Sequence, residues 1–362
     1  MPPISMPADL AEAAVTAFRA ELAAILAREA GSAVARDVVV LALDGVGYEV
    51  ARECWPSART RLRRSVWPTT TATSWLSQLT GCDVATHGIP GVVFRGPAGD
   101  GLINVFDHQG RDLIDPLPTV FDDAAHLGYT PMAVLGDMET YPGRWRDALL
   151  HGAQPVLGHR FYTPVSGPYR ERAPELLASL IRKAVADGLS RGSGAPRLLW
   201  CYIEVDRHVH HHGYDSHTTA VLAALDRLAC ELADTGAVVL AHADHGLVAT
   251  RPDPELAALL DVVCAKHDCL MGGAGRTRWL YPAAGTADAV AEQLRTQLPA
   301  SVSLDHADAR FGTAETSRAR RRVGELVLTA LGESFLVDPD YRYEHGSLLA
   351  GEVDTPLSSW GL

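Results

Sequence analysis

Apolar, β-branched runs recur along this chain, separated by amphipathic stretches. Val38–Leu43, Met132–Leu135, Leu198–Ile203 and Val238–Ala241 read as buried strands. Between them, Pro118–Leu127, Ala173–Ala186 and Thr218–Ala233 read as helices. Strands alternating with helices predict an α/β fold, a three-layer α/β/α sandwich with a mainly parallel central sheet. Ahead of it, Pro7 and Asp9 open a segment with Val15, Phe18, Leu22, Ile25 and Leu26 on one face, closing near Gly31. From about Pro254 to Arg320 the texture changes: Arg276–Tyr281 and Ser301–Leu304 are short strands, and Ala287–Gln297 is a helix. Val323–Leu328 reads as a return to the main sheet. The expected organisation is an N-terminal amphipathic helix at 1–35, an α/β core at 36–253 and 321–362, and a small inserted α/β cap at 254–320.

Composition narrows the function. A formal net charge of −12 over 362 residues argues against broad binding to nucleic acid or anionic membranes. No run approaches the roughly 20 apolar residues of a membrane span, and no secretory h-region follows Met1, so a cytoplasmic location is expected. The six cysteines form no C-x-x-C pair, and Cys264 and Cys269, which flank His267, lack a second pair to complete a structural zinc site. Lys183 and Lys266 are the only lysines, and no Gly-Lys pair exists for a P-loop.

Three aspartates close the apolar runs: Asp44 after Val38–Leu43, Asp206 after Leu198–Val205, Asp244 after Val238–Ala243. In a parallel sheet those strand ends share the edge where ligands bind. Asp206 and His210 form a D-x-x-x-H pair that faces one way on a helical turn. Asp244-His245 can turn both side chains to one place only if the strand ends there, which Gly246 permits. His345-Gly346 lies in a loop after the last core strand and by itself is a surface histidine. His208, His211, His212 and His217 crowd the same region and are expected to be solvated or to support the others. Three aspartates and three histidines suffice for two divalent ions. Thr69-Thr70-Thr71 after Trp67-Pro68 then offers a hydroxyl that such an ion would activate. Gly45 and Gly47 invite a dinucleotide-binding reading, but the third glycine position holds Val50.

In these residues the chain resembles the alkaline phosphatase superfamily, and within it the nucleotide pyrophosphatase/phosphodiesterase family. The family's P-T-x-T, T-G and H-G-I spacings recur as Pro68-Thr69-Thr70-Thr71, Thr80-Gly81 and His87-Gly88-Ile89. Its D-x-x-x-H-x-x-G, D-H-G and H-G motifs fall on Asp206/His210/Gly213, Asp244-His245-Gly246 and His345-Gly346. The resemblance implies Thr71 as nucleophile. It implies one ion on Asp206, His210 and His345, and another on Asp44, Asp244, His245 and Thr71. Many members have an asparagine after H-G-I; here Pro90-Gly91-Val92-Val93 stands instead.

The expectation is a two-metal phosphodiesterase or nucleotide pyrophosphatase working through a phosphothreonine intermediate on a nucleotide-like small molecule. Its two divalent ions are expected to be Zn2+, with Mn2+ or another divalent ion admitted. Alternatives are a phosphomonoesterase, a phosphonoacetate-type C–P hydrolase, which two lysines disfavour, and a catalytically silent metal- or nucleotide-binding module. Val92, Trp75, Phe94, Tyr141 and Trp145 are candidates for substrate contact, with packing as the competing role of each aromatic.

Overall fold

The computed structural model describes residues 14–161 (except 98 and 100), 173–191 and 194–362. In chain order the first strands are β1 (Val38–Asp44), β2 (Arg59–Arg64), β3 (Val93–Arg95), β4 (Leu102–Asn104), β5 (Thr130–Val134), β6 (Gln154–Val156), β7 (Arg197–Glu204) and β8 (Val238–Ala243). Then follow β9 (Val248–Ala249), β10 (Arg251–Pro252), β11 (Leu270–Ala274), β12 (Thr277–Tyr281), β13 (Val302–His306), β14 (Leu326–Ala330), β15 (Ser334–Phe335), β16 (Tyr343–Glu344) and β17 (Asp354–Trp360).

The central sheet runs β2-β17-β8-β1-β7-β5-β6, and β17 alone runs opposite to the other six strands. β1 is buried along its whole length because it is covered on both faces. Val38, Val40 and Ala42 enter one core with Phe18, Leu76 and Phe121, from the helices Phe18–Ala30, Thr71–Thr80 and Val120–His126. Val39, Leu41 and Leu43 enter the opposite core with Ile181 and Leu225, from Pro174–Leu189 and Ser216–Asp234. The predicted three-layer sandwich is the observed one. The N-terminal helix spans Phe18–Ala30 and buries Phe18, Leu22 and Leu26; its expected opening at Pro7 and Asp9 lies outside the described residues.

A second sheet runs β13-β14-β12-β11-β3-β4. Leu280, Leu326 and Leu328 pack on one side against the helices Pro254–Lys266 and Ala287–Gln297, while Trp279, Tyr281 and Val327 join the core that holds Phe18. This corrects one expectation. Val323–Leu328 does not return to the main sheet: β14 pairs antiparallel with β12 and β13. A run apolar on both faces fits any sheet covered on both faces, so periodicity could not choose between the two. β3 and β4 join this sheet from far upstream, through the Gly273–Val93 pairing. Among the described residues no helix is long and apolar enough to cross a membrane.

Candidate active site

β1 is flanked in parallel by β7 and β8, with Asp44 level with Glu204 and Leu43 level with Ala243. The three sequence-predicted aspartates therefore leave neighbouring strands at one edge. Gly45 turns the chain there with φ +78°, and a Cβ on it would lie 2.8 Å from the Asp206 Cα, so only glycine lets the two segments touch. Asp206 and His210 lie one turn apart on the helix Asp206–His212, bringing Asp206 Oδ2 and His210 Nε2 to 3.1 Å. β8 ends at Ala243, which frees Asp244 and His245 to turn to the same place. His345 follows β16, whose antiparallel pairing with β9 draws it beside the Asp244-His245-Gly246 turn. His345 is buried, not the surface histidine its loop context suggested. Thr71 opens the helix Thr71–Thr80, where the first N–H groups have no partner within the helix.

Each histidine has its Nδ1 against a backbone carbonyl: His210 on Tyr343 O at 2.8 Å, His345 on Thr69 O at 2.7 Å, His245 on Gly246 O at 3.2 Å. The Nδ1–H donates there, so the Nε2 lone pairs face inward, the arrangement of metal-ligating imidazoles. Contacts between inward atoms are 3.2 Å for His245 Nε2 to Asp244 Oδ2, 3.6 Å for His245 Nε2 to Asp44 Oδ1, and 3.3 and 3.4 Å from Thr71 Oγ1 to His245 Nε2 and Asp44 Oδ1. These are long for hydrogen bonds to charged groups but right for atoms sharing an ion. Asp206 Oδ1 and Asp244 Oδ2 are buried without a hydrogen-bond partner. Donors fall into three overlapping groups: Asp44/Asp244/His245, Asp206/His245/His345 and His210/Glu344/His345. The residues fit divalent cations.

Electrostatics agree. Burial, then Asp244 and Asp206, push the Asp44 carboxyl well above its usual range, and burial with Asp206 nearby does the same to Asp244. Burial and then His345 hold His245 well below the usual imidazole range. Burial opposes protonation of His210, but Asp206 and Glu344 outweigh it and push that ring up to about 9. Cations among the carboxylates would relieve this repulsion.

The donors open into a cavity of about 490 Å³ lined by Thr71, Val92, Phe106, Tyr141, Tyr341 and the backbone of Gly272–Gly275. A roomier hollow of about 700 Å³, beside Trp67, Phe311 and Arg310, contains none of the donors. Of the aromatic candidates, Tyr141 reaches the cavity, whereas Trp75, Phe94 and Trp145 are fully buried in the core. His208 bonds Asp215 at 3.0 Å and stacks on His212, on the side of the helix away from the ligands, with His217 beside it. His211 Nδ1 lies 3.3 Å from Asp340 O.

Residues with no motif signal hold the site together. Tyr202 donates to Asp44 Oδ2 at 2.5 Å. Glu352 accepts from Arg276 Nε at 2.8 Å, from Ser347 Oγ at 2.7 Å and from Thr69 Oγ1 at 3.3 Å. Gly346 N donates to Thr69 Oγ1 at 2.9 Å, and Arg276 N to His345 O at 2.7 Å. One fully buried ion pair thus ties the Thr69–Thr71 turn to the His345 loop.

The sequence pattern of type I phosphodiesterases/nucleotide pyrophosphatases matches residues 57–347. The chain belongs to that family. Its members are hydrolases of phosphoester or phosphoanhydride bonds that use two divalent metals. The match begins after Asp44 and does not include that aspartate. No curated protein matches the chain by sequence. Among solved structures, it is similar to murine ectonucleotide pyrophosphatase/phosphodiesterase 5, at 17% identity over 89% of this chain and 88% of that one, with a TM-score of 0.65. An inactivated variant of the same mouse protein in complex with AMP gives 16%, 89%, 87% and 0.64. Phosphonoacetate hydrolase from Sinorhizobium meliloti 1021, in complex with phosphonoformate, gives 18%, 90%, 89% and 0.65. At such identities these likenesses speak for the fold, and it is shared equally by the diesterase and C–P hydrolase alternatives.

Proposed function

We propose that this family member cleaves phosphodiesters or phosphoanhydrides of nucleotide-like small molecules, with Thr71 as nucleophile. The observation behind the nucleophile is the Thr71 hydroxyl, at a helix N-terminus on the cavity wall and 3.3–3.4 Å from His245 Nε2 and Asp44 Oδ1. Asp44, Asp244 and His245 would hold one ion beside Thr71, and Asp206, His210 and His345 the other. When bound, the ions supply charge stabilisation and make a neutral hydroxyl or water a competent nucleophile near pH 7.

The chain's own residues do the rest. Thr71 Oγ1 gives up its proton to solvent and attacks phosphorus, the bond to the leaving oxygen breaks in line as that oxygen takes up a proton from solvent, and a phosphothreonine ester forms. Water then cleaves that ester and restores the hydroxyl. Asp44 Oδ1 lies 3.4 Å from the resting hydroxyl, and the Thr71 and Ala72 N–H groups, which precede the first bonds of the helix at Thr73 and Ser74, would face developing negative charge.

Diester over monoester preference follows from what the second sheet does with its arginines. A monoester dianion gains most from a guanidinium or ammonium on its oxygens. Arg276 is spent on Glu352 and on the Gly332 and Thr250 oxygens. Arg278 donates to the carbonyls of Gly275, Thr277 and Leu336. Arg276 stays outside the cavity, and Arg278, which lines it, has both terminal nitrogens engaged by these carbonyls. Val92, in place of the amide common in the family, lines the cavity and leaves apolar room for a second substituent.

The test compares kcat/KM for a nucleotide p-nitrophenyl ester with that for p-nitrophenyl phosphate. The nucleotide ester should win, and chelator should abolish both rates. A higher value for the monoester would promote the phosphomonoesterase alternative. Thr71→Ala should remove turnover while leaving the fold and at least one ion in place; near-normal turnover would rule out the nucleophile.

A further inference from the structure

Three glutamates lie close beneath the cavity. Glu352 has Arg276 at 2.8 Å and Glu204 has Arg207 at 3.1 Å, so each finds a cation within the protein. Among the described residues Glu344 has no arginine or lysine within 4.0 Å; its charge partners are His345 Nε2 at 3.5 Å and His210 Nδ1, the nitrogen turned to Tyr343 O, at 3.7 Å. Its side chain is 8% exposed, and a carboxylate withdrawn from water is costly unless it is paired and hydrogen-bonded.

Position favours a metal as a further partner. Donor atoms about 2.0–2.1 Å from one ion at tetrahedral angles stand about 3.3–3.4 Å apart. Across this site the inward atoms lie within a few tenths of an ångström of that spacing: 3.1 Å for Asp206 Oδ2 to His210 Nε2 and 3.2 Å for Asp244 Oδ2 to His245 Nε2. Glu344 Oε1 to His345 Nε2, at 3.5 Å, continues the series. The His345 N–H donates to the same Oε1 at 3.0 Å and fixes the carboxylate beside the ring. His210, Glu344 and His345 each offer a donor atom, all within 4.8 Å of one another.

We propose that Glu344 is a fourth protein donor to the ion that Asp206, His210 and His345 would hold, an inference that rests on the two-ion reading above. Its consequence is metal choice. Four protein donors complete a tetrahedral set, yet a catalytic ion needs an open position besides. Two carboxylates and two imidazoles therefore favour an ion that takes five or six donors, Mn2+ or Fe2+, over Zn2+ at this site.

The experiment strips the full chain of metal and titrates it with Co2+, Mn2+ and Zn2+ against a competing chelator. Wild type is compared with Glu344→Gln, which keeps an acceptor for the His345 N–H, and with Glu344→Ala. Wild type should bind two ions. Both variants should keep one at unchanged affinity and hold the other about 10- to 100-fold more weakly. The Co2+ absorption of that site should change as its donor number falls, and the metal-free melting temperature should stay near the wild-type value. Two ions at wild-type affinity with an unaltered Co2+ spectrum in Glu344→Gln would overturn the Glu344 assignment and leave the two-ion reading standing. Equal weakening of both ions with a lowered metal-free melting temperature would overturn it too, as a purely structural role. A wild-type chain that takes up fewer than two ions would remove both readings.

Discussion

Arg276→Met should be among the most damaging substitutions in the chain although Arg276 touches no reacting group. Both partners of the Arg276–Glu352 pair are fully buried. Without the guanidinium, Glu352 keeps the Ser347 and Thr69 donors but loses its cation, and the Gly332 carbonyl and Thr250 hydroxyl lose a donor. Breaking a buried pair from one side costs about 3–5 kcal/mol. Glu352→Gln in the same chain should recover part of that, since it removes the stranded charge. Burial already pushes the Glu352 carboxyl up, and Arg276 is the foremost influence pulling it down. The variant's folded form will therefore bind a proton at higher pH than the unfolded chain, whose glutamates titrate near ~4.3. The part of the deficit due to the stranded charge should be full above that raised folded pKa, shrink as pH falls through it and vanish below about pH 4.3, leaving the part due to the lost Gly332 and Thr250 hydrogen bonds. Equilibrium urea unfolding of metal-free wild type and variant between pH 8 and 5 measures this. A deficit under about 1 kcal/mol at pH 8, or one that grows on acidification, would refute the argument.

Tyr202→Phe removes the 2.5 Å bond that orients Asp44, and should weaken one of the two ions about 10-fold in a chelator competition while leaving the other unchanged. His242, held neutral between Trp200 Nε1 at 3.1 Å and Gln78 at 2.6 Å, is pushed down to about 3 by burial. Because the unfolded chain binds that proton below about pH 6.5, stability should fall with pH from there towards 3, and His242→Phe should make the fall shallower by up to about 1.4 kcal/mol per pH unit. An unchanged slope in denaturant titrations from pH 6 to 4 would count against it.

The edge carrying the chemistry was legible because parallel strands buried on both faces leave long β-branched runs, and Asp44, Asp206 and Asp244 close three of them. The helical turn that aligns Asp206 with His210 and the strand ending at Ala243 also followed from spacing and Gly246. What escaped had no period to betray it. β2 reads Arg-Thr-Arg-Leu-Arg-Arg, too charged to look like a strand, because it is an edge strand with one buried side chain, Arg63. β3 and β4 are three residues each. Glu344 and Glu352 resemble any surface glutamate until the fold buries them, and Tyr202 looks like strand filler until Asp44 is seen opposite its hydroxyl.

The place of β17 bears on how this protein is made. It is the final strand in the sequence, yet it lies between β2 and β8, with Ser358 opposite Thr60 across 298 residues. A chain leaving the ribosome would present β8 with one open backbone edge, and β2 with no sheet to join, until almost everything upstream has been synthesised. Open edges invite pairing with other chains, and contacts this remote close slowly. Synthesis slower than aggregation, or a chaperone that shields the β8 edge, would then govern yield more than the stability of the finished sheet.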